Sequence, residues 1–168
     1  EKHGVEAIVV VGPGFVKDEV ASELSKVFEK NVYTETASSG GVAGVYEAVR
    51  RGVLSKILGD HELLVEERLM EEFTSLLAKE EKRVVYTLEE VEEAVRMGAV
   101  EKLLVVSELL RSSDLDLRRR VEEVVKLAER LGAKVKIFSS VHDTYKQLKA
   151  FGGIAAILRF ALNATERR

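Results

Sequence analysis

Cysteine is absent from this 168-residue sequence, tryptophan is absent too, and there is a single proline. Without cysteine, disulfides, thiolate nucleophiles and cysteine-ligated zinc or iron–sulfur sites are excluded together. Histidine is nearly as scarce: His3, His61 and His142 are the whole supply, too scattered for a metal motif. Glutamine occurs once, at Gln147, and asparagine only at Asn31 and Asn163. Few thermolabile amides beside abundant Glu, Lys and Arg point to a thermophilic source. No apolar run approaches the ~18 residues of a membrane span. The opening Glu1-Lys2-His3-Gly4 lacks an initiating Met and a hydrophobic signal segment, so the chain is expected to be a fragment of something longer.

What is present is the composition of a globular chain, with 46% hydrophobic and 33% charged residues. The net charge of −3 gives no bulk attraction to nucleic acid. Three basic clusters stand out: Arg50-Arg51, Arg118-Arg119-Arg120 and Arg167-Arg168. The middle one lies in a helical stretch just before Glu122-Glu123, and solvated helix charge is its simplest reading.

The apolar run over residues 5–11 reads as a buried parallel strand, broken by Gly12-Pro13-Gly14. Phe15, Val20, Leu24, Val27 and Phe28 then fall near helical spacing and predict a helix to about Lys30. Residues 32–36 are strand-like, and Ser38-Ser39-Gly40-Gly41 supplies cap chemistry for a helix to about Arg51, with Gly52 as its stop. Two strands and two helices bury too little surface for a complete domain. This half is therefore expected to be the tail of a larger α/β domain.

A second unit is expected from about residue 54, with Asp60 capping a long helix whose inner face carries Leu64, Leu69, Phe73 and Leu77. Residues 83–86 read as a short strand, and Thr87-Leu88-Glu89-Glu90 has the pattern of a capping box. Its helix should end at Gly98. A strand over 102–106, a helix from about Leu115 to Gly132 with Val121, Val124 and Ala128 on its inner face, and a strand over 134–138 follow. Ser140-x-x-Asp143 should cap a helix to Phe151, and residues 154–160 the last strand. Such alternation predicts a mixed or parallel sheet between helix layers. Residues 163–168 read as a frayed tail.

No motif makes a convincing catalytic centre. Gly12-Pro13-Gly14 lies where dinucleotide enzymes carry G-x-G-x-x-G, but the third glycine position is Lys17 and Pro13 lacks an N–H for a phosphate. The turn instead projects Phe15 from a stiff corner. Ser38-Ser39-Gly40-Gly41 could bind an anion at a helix N-terminus, yet a capped helix start explains it more simply. Ser139, Ser140, His142 and Asp143 are close in sequence, but a serine cap with Asp143 at the helix dipole accounts for them. Glu89-Glu90 and Glu92-Glu93 read as one solvated helix face rather than a nuclease metal site.

Four segments, in order, resemble the Pelota family, relatives of the class I release factors. They are Val9-Val10-Val11-Gly12-Pro13-Gly14-Phe15; Ser38-Ser39-Gly40-Gly41-Val42-Ala43-Gly44-Val45-Tyr46-Glu47; residues 91–106; and Ile137-Phe138-Ser139-Ser140-Val141-His142 with Gln147-Leu148 and residues 153–160. The resemblance covers nearly the whole chain. It implies an α/β fold in which residues 1–53 form the second half of a release-factor-like central domain. Residues 54–168 would form a C-terminal α/β/α sandwich similar to L7Ae/L30e-type proteins. It implies a cytoplasmic, non-catalytic ribosome-rescue and mRNA-surveillance factor (no-go and non-stop decay) that promotes subunit dissociation without hydrolysing peptidyl-tRNA. Its partners would be an elongation-factor-like GTPase, an ABC-type ribosome-splitting ATPase and the ribosome with its rRNA, with no membrane.

Pro13, Gly14 and Phe15 match the family's Pro-Gly-Phe loop, for which the resemblance implies contact with the GTPase. Gly40-Gly41 is followed by Val42 and Gly152-Gly153 by Ile154, so the Gly-Gly-Gln tripeptide of release factors is missing from this sequence. One departure is Tyr145-Lys146, where the family has Gly and an acidic residue before Gln147-Leu148; a partner contact needing that acid is in doubt. No cofactor is implied, although divalent-metal-dependent RNA cleavage has been attributed to the N-terminal domain of some members. The alternatives are an L7Ae-like RNA-binding protein and a metal-dependent endoribonuclease. The thermophilic composition predicts that the chain melts above the ~45–65 °C usual for mesophile domains; a calorimetric midpoint inside that range would contradict it.

Overall fold

The computed structural model describes Val5 and residues 7–29, 31–79 and 82–162. His3, the Arg167-Arg168 cluster and the tail expected over 163–168 lie outside the described residues. The chain divides into two compact units, Glu1–Glu62 and Leu63–Arg168.

The first unit holds β1 (Ala7–Gly12), α1 (Val16–Val27), β2 (Asn31–Thr36) and α2 (Gly41–Arg50). β1 and β2 pair in parallel, Val9 opposite Tyr33 and Gly12 opposite Thr36, with α1 as the crossover. Alternation along β1 sends Ala7, Val9 and Val11 to one face, where they pack with Tyr33 against Ala48, Val53 and Ile57. Helical spacing would turn one apolar face inward, yet Val20 and Val27 of α1 are exposed, as are the flanking Phe15 and Phe28; Leu24 is half-buried and Ala21 is the buried one. A two-stranded sheet covers only a narrow strip of a helix, which accounts for the difference.

The long helix α3 (Val53–Ala78) starts directly after Gly52, whose φ of +89° turns the chain and whose carbonyl accepts from the Lys56 N–H. Asp60 therefore lies inside a continuous helix and is not its cap. Residues 53–59 stay helical because Val53 and Ile57, one turn apart, are both buried. Gly59 within them costs only about 1 kcal/mol relative to Ala.

In the second unit follow β3 (Val84–Val85), α4 (Leu88–Arg96), β4 (Val100–Val106), a 3-10 turn (Leu109–Arg111), α5 (Leu115–Arg130), β5 (Lys134–Phe138), α6 (Asp143–Ala150) and β6 (Ile154–Leu158). The sheet order is β3-β6-β4-β5. β4 and β5 are parallel, while β6 runs antiparallel to both β4 and β3. All of β6 is buried, so both faces of the sheet must be covered. Val91, Val95, Val121, Val124 and Ala128 of α4 and α5 pack with Leu103, Val105 and Ala156 on one side. Met70 and Phe73 of α3 and Leu148 of α6 pack with Leu104, Ala155 and Ile157 on the other. The expected α/β/α sandwich is what forms.

The helix ends explain most of the boundaries. Thr87 caps α4 by accepting the Glu90 N–H at 3.2 Å, and Asp114 caps α5 by accepting from Asp116 and Leu117. Gly98 and Gly132 close those helices at positive φ. Ser140 does not cap α6: the capping position is His142, without a side-chain bond. β6 stops at Leu158, two residues short of the expected end.

Gly153 is required twice over. Its φ is +83°, and a Cβ there would lie 2.8 Å from Val106 Cγ2 and 3.2 Å from Leu109 Cδ1. Gly98 has φ +67° but open space around it. Gly153→Ala is expected to cost roughly 2–4 kcal/mol and Gly98→Ala about 1 kcal/mol. Urea unfolding of the two variants checks the order, and equal losses would remove the packing role.

Candidate functional site

β1 and β2 are parallel neighbours, so the loops that leave their carboxyl ends share one edge of the pair. In the first loop the Gly12 carbonyl accepts from the Ala37 N–H at 3.2 Å, joining it to the second. Gly14 takes φ +64°, a conformation glycine adopts without penalty. The Phe15 carbonyl starts α1 by accepting from Asp18 at 2.9 Å. Lys17, at the position of the dinucleotide motif's third glycine, bends its ammonium back onto the Gly14 carbonyl at 2.5 Å and the Asp18 carboxylate at 3.2 Å. That lysine braces the turn and is not held out for a phosphate. Pro13 and Gly14 are exposed, and Phe15 leaves 70% of its surface in solvent. The three residues singled out from sequence thus form one rigid, outward-facing corner.

The second loop is stapled rather than capped. Ser38 donates its N–H at 2.9 Å and its hydroxyl at 2.6 Å to Glu47 Oε2, and Arg51 bridges Glu47 to the Thr36 carbonyl. The Ser38 hydroxyl and then its N–H hold the Glu47 carboxyl below its ordinary range. The cap position of α2 is Gly40, with no side-chain bond; the expected serine cap is replaced by this staple. Gly44 lets the helix approach the loop, since a Cβ there would meet the Ser39 carbonyl at 2.2 Å.

In the second unit, Glu66 of α3 has no solvent exposure. Its Oε1 accepts from the Ser139 N–H at 3.0 Å, and its Oε2 accepts the Thr144 hydroxyl at 2.6 Å and lies 3.0 Å from His142 Nδ1. His142 and Ser139 are thus drawn to one carboxylate, an arrangement that orders the segment between β5 and α6. Among the described residues no side-chain hydrogen bond joins the imidazole to a serine. Sequence reasoning missed Glu66, although the signal was there: it sits one turn from Leu69 and Met70, on the apolar face of α3.

Beside that segment, an open cleft of about 500 Å³ is lined by Ser107, Glu108, Arg111, Ser112, Ser140 and Tyr145, among others. The Glu108 carboxylate accepts from Lys149 at 2.7 Å and from the Tyr145 hydroxyl. Lys149 first and Tyr145 second hold its carboxyl below the usual range, while Glu108 in turn raises both partners.

The basic run at 118–120 is occupied. Arg118 pairs with Glu122, Arg119 with Glu123, and Arg120 with Glu89 and Glu92; the bonds to Glu92 and then Glu89 raise the Arg120 pKa. Lys146 pairs with Asp143, and Arg159 donates to the Leu131 carbonyl. No group of three or more acidic or histidine side chains is placed to hold a metal among the described residues, and no helix there is long and apolar enough to cross a membrane.

The family model for eRF1 domain 3 matches residues 63–162. A Pelota homolog of Hyperthermus butylicus is 42% identical over 157 residues, covering 93% of this chain and 44% of the relative. A structure of ribosome-bound archaeal Pelota and ABCE1 matches at TM-score 0.74 and 37% identity, over 95% of this chain and 44% of that one. S. cerevisiae Dom34, a translation termination-like factor involved in RNA quality control pathways and interacting with Hbs1, matches at TM-score 0.69 and 23% identity, over 95% and 48%. That last likeness is one of fold alone. The chain spans less than half the length of these proteins.

Replacing Glu66 by Leu leaves the partly buried Ser139 N–H and the buried Thr144 hydroxyl without their acceptor. A loss of about 2–4 kcal/mol in unfolding free energy is expected. Urea denaturation measures it, and a stability equal to wild type would show that the two donors have found other partners.

Proposed function

Since the chain belongs to the eRF1 domain 3 family and aligns with Pelota homologues along most of its length, we propose that it is part of a ribosome-rescue factor. Its work is to dock an elongation-factor-like GTPase, and later an ABC-type ATPase, on stalled ribosomes in the cytoplasm. Subunit dissociation follows without hydrolysis of peptidyl-tRNA. A relative supports the coarse reading: the archaeal Pelota of the matching structure is ribosome-bound together with ABCE1.

The single observation that carries the residue-level reading is the corner at Pro13, Gly14 and Phe15, where an aromatic ring is left 70% exposed on a braced turn. Aromatic side chains, Phe included, are enriched at protein interfaces, and one already held rigidly costs less to order on binding. We assign the GTPase contact to these three residues. The reading needs no chemistry from the chain. The imidazole and carboxylates that could have served as catalysts, His142, Glu66, Glu89 and Glu92, have structural partners instead. An L7Ae-like RNA-binding role is disfavoured because the basic run Arg118, Arg119 and Arg120 on α5 is already paired.

Calorimetric titration of an archaeal elongation-factor-like GTPase, loaded with GTP, tests the assignment. Phe15→Ala is expected to weaken binding by about 2 kcal/mol, roughly 30-fold. Tight binding that survives the substitution would remove Phe15 from the interface.

A further inference from the structure

β5 is the last strand of its sheet, with β4 on one side and, among the described residues, no strand on the other. Which of its backbone groups face the open side follows from one bond. The Phe138 carbonyl accepts from the Ser107 N–H, directly after β4, and so points toward that strand. Alternate residues of an extended strand address opposite neighbours. Lys134, Lys136 and Phe138 therefore bond toward β4, and the N–H and C=O groups of Val135 and Ile137 face outward. A row of this kind is a template for another strand.

The side chains sort by the same alternation. Val135 and Ile137 pack into the layer that holds α4 and α5. Phe138 is buried on the other face with Leu104 and Val106, so Lys134 and Lys136 share that face with Lys102 of β4. Lys102 and Lys134 are register partners, and like charges placed directly opposite are destabilising. Among the described residues, Glu72 and Glu101 pair with Lys102 and with neither of the other two. What sets this edge apart is the coincidence of outward backbone groups with lysines at the two-residue spacing of a strand.

We propose that the outer edge of β5 takes an extended acidic segment of a partner protein as an added strand. Backbone bonds to Val135 and Ile137 give the affinity, and carboxylates on alternate residues of the guest meet Lys134 and Lys136. Edge lysines ordinarily keep stray strands away; here they restrict the edge to acidic guests. A second copy of this chain is a poor guest, because β5 laid against itself sets lysine against lysine. RNA is poor as well. It would meet three lysines with Glu72 and Glu101 among them, and electrostatics alone would hold it. The inference needs only the second unit and stands apart from the rescue-factor reading.

The probe is a synthetic peptide of alternating Glu and Val, about ten residues long, titrated into the isotope-labelled 168-residue chain and followed by NMR. The Val135 and Ile137 amide signals are expected to shift and their hydrogen exchange to slow. A Gln–Val peptide of the same length should bind at least about 10-fold more weakly. Lys134→Glu combined with Lys136→Glu, and separately Val135→Pro, should each weaken binding by a similar factor. Proline at position 135 removes an outward N–H and leaves the β4 ladder whole, the setting in which edge strands tolerate it. The paired lysine changes, at exposed and half-buried positions, keep the test decisive should Val135→Pro fail to fold. Arg119→Glu, the same charge change on α5, should leave affinity within about 2-fold. Binding that survives Val135→Pro overturns strand addition, as does a wild-type chain whose Val135 and Ile137 signals ignore excess peptide. A steeply salt-dependent affinity for single-stranded RNA, lost with the lysine changes and kept in Val135→Pro, identifies a phosphodiester occupant and sinks the proposal.

Discussion

A carboxylate with no access to water lies in the apolar layer beneath the four-stranded sheet, and the order of that side of the second unit depends on satisfying it. Glu66 cannot be stabilised by solvent, and an isolated charge in such a place would be prohibitive. Its hydrogen-bond partners, the Ser139 N–H, His142 and Thr144, come from a single short segment. The start of α6 therefore depends on α3. That helix has eight residues and no side-chain cap, too short to be stable by itself. The Thr144 bond and the fully buried Leu148 supply from tertiary structure what the local sequence withholds.

The surface charges follow a different logic. A third of the residues are ionisable Asp, Glu, Lys and Arg, and many settle into pairs one helical turn apart, such as Arg118 with Glu122 and Arg119 with Glu123. Exposed pairs of this kind contribute little to stability. Their effect on function is larger than their effect on stability. Because Arg120 reaches across from α5 to Glu89 and Glu92 of α4, the basic run at 118–120 presents no unpaired row of cations. The same residues that suggest a nucleic-acid patch in sequence serve as ties between two helices.

Features set by local chemistry were legible in the sequence. The Thr87 cap, the glycines at 98, 132 and 152–153, and the strand over 134–138 depend on neighbours within a few residues, and each is where the pattern puts it. The misses share one cause, a partner far along the chain or a face whose cover was assumed. Ser38 turns to Glu47 instead of capping α2, and Ser140 leaves α6 uncapped while its neighbour Ser139 turns to Glu66, 73 positions away. Asp60 sits inside α3 because Val53 and Ile57 are buried together. For the candidate corner, sequence named Pro13, Gly14 and Phe15 but left open whether the ring was buried. Exposure is a property of what packs above a residue, and no local pattern encodes it.

The exposure of Phe15 matters because of what surrounds it. A phenyl ring in water costs solvation free energy relative to burial, and a flexible loop could fold the ring back onto the apolar surface of α1. The turn does not permit that freedom. Proline fixes one torsion, Gly14 sets a left-handed residue, Lys17 grips the Gly14 carbonyl, and the Phe15 carbonyl is committed to the first turn of α1. A ring so restrained loses little entropy when a partner covers it, and affinity is gained by removing that cost in advance.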